Sequence, residues 1–149
     1  MAQYKTHAKF NLFIALPSFS LIVYFYFTQD VRLLSIFIAA FAYSTLFMNP
    51  DLDLAHQIKF LSIRGVLTSP FRLYSKIFSH RGFSHSIVFG TLSRLLFLAV
   101  LALLCMWIYT QANPSLNGVW SFILNHQTPL LYAFSGIFLA DLSHLALDI

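Results

Sequence analysis

Histidine and aspartate carry the scarce chemistry of this chain, and they are grouped rather than scattered. Only 9% of the 149 residues are charged, and the five acids are all aspartates. Asp51 and Asp53 stand in "NPDLDLAH", and Asp141 and Asp148 in "ADLSHLALD". Of the six histidines, His7, His56, His80, His85 and His144 lie in or beside such clusters, which leaves His126 apart. The stretch "SHRGFSHS" at 79–86 adds Arg81 between two histidines, with serines around them. Carboxylate oxygens and imidazole nitrogens without thiolate suit Zn, Mn or Fe rather than a soft-metal ion. The donors exceed four, so two ions are as feasible as one. The expected ligands are His7, Asp51, Asp53, His80, His85, Asp141, His144 and Asp148. The single cysteine, Cys105, lies in an apolar run and offers neither a disulfide nor a thiolate site.

Spacing sharpens this expectation. Asp141, His144 and Asp148 stand at i, i+3 and i+7, so a helix presents them as one stripe. His7 and Asn11, at i and i+4, share a face in the same way. Asp51 and Asp53 follow Pro50 in an expected turn, where alternate residues of an extended segment point alike. Taken alone, Asp51 and Asp53 would read as a helix cap, and His80 and His85 as headgroup-level polar residues. Asp141 resists that treatment, because it falls about 18 Å into its helix at 1.5 Å per residue. A carboxylate at that depth is costly unless paired, which marks it as functional or as part of an interhelical polar network. Arg94 is expected to snorkel or to pair with a carboxylate.

The elements that must position these groups are membrane helices. Hydrophobic residues make up 58% of the chain and aromatic residues 17%, far from the composition of a soluble domain. Four stretches, 10–27, 33–48, 87–109 and 129–147, approach or exceed the roughly 17–20 helical residues a bilayer core requires, the second being at the short limit. The first lacks the features of a cleavable signal and is expected to stay as a helix, kinked at Pro17. The expected fold is therefore all-α, a polytopic membrane helical bundle of about four transmembrane helices in a single domain covering 1–149. A short interfacial helix at 70–79 carries Phe71, Tyr74, Ile77 and Phe78 on one side and Arg72 and Lys76 on another. The 110–128 loop carries turn residues and no charge, and reads as a connector.

Lys and Arg give the orientation. Lys5 and Lys9 precede the first helix, and Lys59, Arg64, Arg72, Lys76 and Arg81 lie in the 49–86 loop, against none in the 110–128 loop. The basic segments are expected in the cytoplasm, with both termini inside. All four polar groups then fall at the same face of the membrane, although only apolar length and basic residues entered the topology. The net charge of +4 follows from this asymmetry, and no basic and aromatic interleaving supports nucleic-acid binding.

These residues also carry a resemblance. "THAKFN" near the start, "PDLDL" at 50–54, "HRGFSHS" at 80–86 and "GIFLADLSHLALD" at 136–148 resemble the ordered motifs of two families. One is the predicted membrane-bound metal-dependent hydrolases of the LexA-regulated inner-membrane type, and the other is a closely similar family of metal-binding membrane proteins. The resemblance implies that His7, Asp51, Asp53, His80, His85, His144 and Asp148 occupy the families' polar positions, with Asp141 beside them. It implies residence in the bacterial inner membrane as a multi-pass protein. A more distant similarity points to the zinc-dependent phospholipase C group of helical phosphoesterases.

The expected function is a metal-dependent hydrolase, of phosphoesterase type, acting on a lipid or phosphorylated substrate at the cytoplasmic face. Zinc is the leading metal, with Mn or Fe as alternatives. Asp51, or failing that Asp148, is the expected general base, and Arg81 the group that steadies charge on a phosphoryl oxygen. The alternative is a non-catalytic metal-binding membrane protein, a transporter or a sensor. A transporter should carry polar residues toward the outer side, and here the outer halves of the helices are almost wholly apolar. Membrane lipids are the expected partners, and the substrate and oligomeric state stay open.

Overall fold

The computed structural model describes residues 2–48, 87–113 and 115–147, together with Gly65, Thr68 and Tyr74. Among the described residues every regular element is helical. The first, α1 (Ala2–Phe10), runs through a π-helical turn at Asn11–Ala15 into α2 (Leu16–Tyr26). The Leu16 N–H reaches the Asn11 carbonyl, five residues back, immediately before Pro17. Proline has no N–H to give to the preceding turn. The irregularity expected at Pro17 thus takes the form of a widened turn just upstream of it.

A short turn leads into α3 (Val31–Phe47), whose first turn is capped by Asp30 accepting from the Arg32 N–H at 2.7 Å. Next in the described chain come α4 (Ile87–Thr110), α5 (Leu116–Asn125) and α6 (Gln127–Ala146). Among the described residues three helical stretches are long and apolar enough to cross a membrane: Thr6–Tyr26, Phe89–Thr110 and Gln127–Ala146. The fourth expected span, α3, is apolar but has 17 residues. That corresponds to about 25 Å of helix, a little less than the ~30 Å hydrocarbon core of a typical bilayer.

The loop expected at 110–128 contains a helix, and this corrects the reading of it as a plain connector. Asn113, Pro114 and Ser115 carry turn chemistry, yet the Ser115 side chain accepts from the Gly118 N–H at 3.0 Å and so caps the start of α5. The interfacial helix at 70–79 lies outside the described residues apart from Tyr74. Tyr74 is helical and buried, its hydroxyl 2.7 Å from the Ser93 hydroxyl and its ring edge-on to Phe97 at 5.5 Å.

Large apolar side chains face outward and polar ones inward. Phe13, Tyr26, Phe89, Leu96 and Tyr109 are exposed, whereas His7, Asn11, Ser44, Thr45, Thr91, Arg94, Asp141 and His144 are buried. A lipid solvent accommodates that inversion, because apolar surface gains nothing by leaving hydrocarbon.

Among the described residues α3 and α6 pack most extensively against each other. Its closeness depends on small residues, with Ala40 and Ser44 on α3 facing Gly136 and Ala140 on α6. A Cβ at Gly136 would come within 2.6 Å of the Phe37 carbonyl oxygen, so only glycine lets these backbones meet. Around this seam Ala15, Val23, Phe37, Phe41 and Ala140 form one apolar cluster, and Met48, Tyr74 and Ile137 form another.

Candidate metal centre

The buried polar groups gather at one end of the bundle, where α1 begins, α3 ends, α4 begins and α6 ends. His7 lies on α1 with Asn11 one turn further on, and both are buried. The Asn11 amide donates from Nδ2 to the Ala140 carbonyl at 3.0 Å, with the Thr45 hydroxyl at 3.5 Å. This bond ties the π turn to α6 one helical turn before His144. Asn11 Oδ1 is buried and has no hydrogen-bond partner among the described residues.

The tie brings two imidazoles together. The His7 and His144 rings have centroids 4.8 Å apart and planes at 79°, although 137 positions of sequence separate them. Two imidazoles bound through one nitrogen each to a tetrahedral ion at about 2.0–2.1 Å have ring centroids about 5 Å apart. The observed pair packs edge-on at about that spacing in a buried setting, with Asn11 one helical turn on from His7. Imidazole nitrogens and an amide oxygen are donors of the kind that nitrogen- and oxygen-seeking divalent metals take.

Asp141, expected as a further ligand, already has partners for both oxygens. Oδ1 accepts from the Ser44 hydroxyl of α3 at 2.9 Å. Oδ2 accepts from the Thr91 hydroxyl at 2.6 Å and from Arg94 Nη2 at 2.9 Å, both on α4. Arg94 is itself sealed at 1% exposure and distributes its other donors to the Gly90 carbonyl at 2.9 Å and to the Met48 carbonyl at the end of α3. One ion pair therefore joins three helices and neutralises the charge that burial would otherwise make prohibitive. Of the two expectations for Arg94, snorkelling or pairing with a carboxylate, the structure shows the second, with Asp141 as the carboxylate.

The remaining expected site residues, Asp51, Asp53, His80, Arg81, His85 and Asp148, lie outside the described residues. Among the described residues no group of three or more His, Cys, Asp or Glu forms a candidate metal cluster. His126 is far from this end in the fold. It is exposed at the corner between α5 and α6, stacked on Phe122 at 4.4 Å. Cys105 is free and exposed on α4.

Sequence reading singled out neither the hydroxyls of Ser44 and Thr91 nor the locking role of Asn11. Their one signal was location, as polar residues in otherwise apolar helices near the ends that carry His7, Asp51 and His85.

No curated protein and no solved structure matches this chain. The family model described as "Uncharacterized metal-binding protein (DUF2227)" matches residues 2–149. Of the two families whose motifs the sequence resembles, this is the metal-binding one. Spanning essentially the whole chain, the match agrees with the imidazole pair at the base of the bundle: the protein belongs to the DUF2227 family of metal-binding proteins.

Proposed function

We propose that the protein binds a divalent metal ion at the end of the bundle where His7 and His144 meet. The observation that carries this reading is the buried imidazole pair at 4.8 Å. His7 and His144 supply two nitrogen ligands, and the others are drawn from Asp51, Asp53, His80, His85 and Asp148, in segments adjoining this end in sequence, a set large enough for one ion or two. Asp141 acts differently from them: it locks α6 against α3 and α4 and so fixes where His144 stands. In this reading the protein sits in the bacterial inner membrane, and the distribution of basic residues supports an orientation with both termini and the 49–86 segment in the cytoplasm. Zinc is the preferred ion for a thiolate-free site of this composition, with Mn or Fe next.

Hydrolysis is the second reading, favoured by the surplus of carboxylates over what one ion needs and by Arg81 between two candidate ligands. When bound, the metal would supply Lewis acidity and water activated at neutral pH. Asp51 would take the proton from the attacking water. Arg81 would hold a phosphoryl oxygen through its two-pronged guanidinium. The substrate would be a phospholipid or another phosphoester reaching the cytoplasmic face.

The two readings separate in one experiment. Detergent-purified protein loaded with Zn, Mn or Fe is assayed on a panel of phospholipids and phosphomonoesters. Cleavage abolished both by a chelator and by Asp53→Asn supports the hydrolase. Retained metal with no turnover of any panel member leaves the metal-binding protein as the function, and failure to take up any of the three ions overturns both.

A further inference from the structure

The outward end of the bundle carries a surface that the metal site does not use. None of the residues of α5 is buried, and Leu116 and Trp120 are 88% and 62% exposed. At 3.6 residues per turn, Phe122, Val119, Ile123, Leu116, Trp120 and Leu124 cover about 200° of the helix circumference. Asn117, Ser121, Asn125 and Gly118 occupy the rest. The division is clean, and neither face bears a charge.

The depth of this helix is fixed by its neighbours. His126 is at once the C-terminal cap residue of α5 and the residue that precedes α6. Its Nδ1 lies 3.0 Å from the Phe122 carbonyl and its ring stacks on the Phe122 ring, which staples the corner. No linker separates α5 from α6, so the C-terminal end of α5 is held at the level where the long apolar helix Gln127–Ala146 begins. The other end is tethered through a few residues to α4, which is apolar up to Tyr109.

We infer that α5 lies along the lipid interface at the end of the bundle remote from His7 and His144. There its apolar arc enters the acyl boundary and its amide and hydroxyl face meets the headgroups. This rests on the reading that α4 and α6 span a membrane. Interfacial helices that recruit anionic lipid carry Lys and Arg on the polar face. Here burial of apolar area alone holds the helix, with Trp120 at the level aromatic belts occupy. Attachment is therefore indifferent to lipid charge. The occupant of the apolar arc is lipid, since a charge-free arc continuous with two apolar spans matches hydrocarbon.

Nitroxide labels on single cysteines test the proposal, in full-length Cys105→Ser protein reconstituted into vesicles. Leu116→Cys and Ile123→Cys report the apolar arc, Asn117→Cys and Ser121→Cys the polar face, and Val100→Cys on α4 serves as the membrane reference. Collision with oxygen should exceed collision with a water-soluble nickel complex several-fold at positions 100, 116 and 123, and the ratio should invert at 117 and 121. The same pattern should appear in phosphatidylcholine vesicles and in vesicles rich in phosphatidylglycerol. Uniform nickel access at all four α5 positions, with position 100 shielded, would overturn the interfacial placement alone. Spin coupling between copies at 116 and 123 would overturn it in favour of a protein contact. Nickel access at position 100 would overturn the spanning reading, and the placement with it.

Discussion

Arg94 and Asp141 meet at 2.9 Å inside the bundle, with side chains exposed by 2% and 1%. The pair does more than cancel charge, because Ser44 and Thr91 hydrogen-bond the same carboxylate and Arg94 also holds the carbonyl that ends α3. Three helix ends are thereby indexed to one another immediately beside His144. Removing one member of such a pair leaves an uncompensated buried charge. Arg94→Leu or Asp141→Leu should each lower stability in detergent by about 3–5 kcal/mol, with the double variant losing much less than the sum. Thermal melting of the four proteins gives the coupling, and additive losses would deny the lock.

The α3–α6 seam predicts a second effect. A methyl group at Gly136 would fall 2.6 Å from a backbone oxygen, which no side-chain rotation relieves. Gly136→Ala should therefore cost about 1–3 kcal/mol by forcing the helices apart. It should also weaken metal binding, since His144 rides on the displaced helix. A melting temperature equal to that of the unmodified protein would show that the seam is looser than described.

Topology can be read in intact cells. With Cys105 replaced, Asn113→Cys should react with an impermeant thiol reagent and Lys76→Cys should not. This follows from five basic residues in the 49–86 loop against none at 110–128. Labelling at 76 and silence at 113 would invert the protein in the membrane.

Asn11 provides a test that separates holding from binding. Asn11→Leu deletes the bond to the Ala140 carbonyl and leaves that buried oxygen with one donor fewer, a cost of about 1–3 kcal/mol. Asn11→Asp keeps the oxygen but loses the donor. If Asn11 serves only to tie the π turn to α6, Asn11→Asp, which adds a buried carboxylate, should melt no higher than Asn11→Leu and retain metal no better. Metal retained better by Asn11→Asp would mean that the side-chain oxygen faces the ion.

Much of this organisation was legible in the sequence because its signals are local. Apolar runs and basic residues are read residue by residue, and they located α2, α4 and α6 and brought His7 and His144 to a common end. What escaped was non-local or ambiguous. Ser44 and Thr91 look like ordinary small polar residues of apolar helices, and their shared partner lies 97 and 50 positions away in the chain. The helix α5 escaped because Asn113, Pro114 and Ser115 spell a turn, while Ser115 in fact starts a helix. The shortness of α3 was legible too, and its bounds have local causes, since Asp30 caps one end and Met48 closes the other. The carboxylates of "NPDLDLAH" and the histidines of "SHRGFSHS" stay expectations, since the described residues do not include them.

The central claim is that His7 and His144 hold a metal ion together. Elemental analysis of purified protein, after exposure to zinc and removal of free ion, measures it directly. The unmodified protein and His126→Ala should retain zinc in stoichiometric amount. His7→Ala and His144→Ala should each bind it at least 10–100-fold more weakly, about the loss expected even for an outer partner of a ligand. Equal zinc content in all four proteins, each with an unchanged melting temperature, would contradict the account.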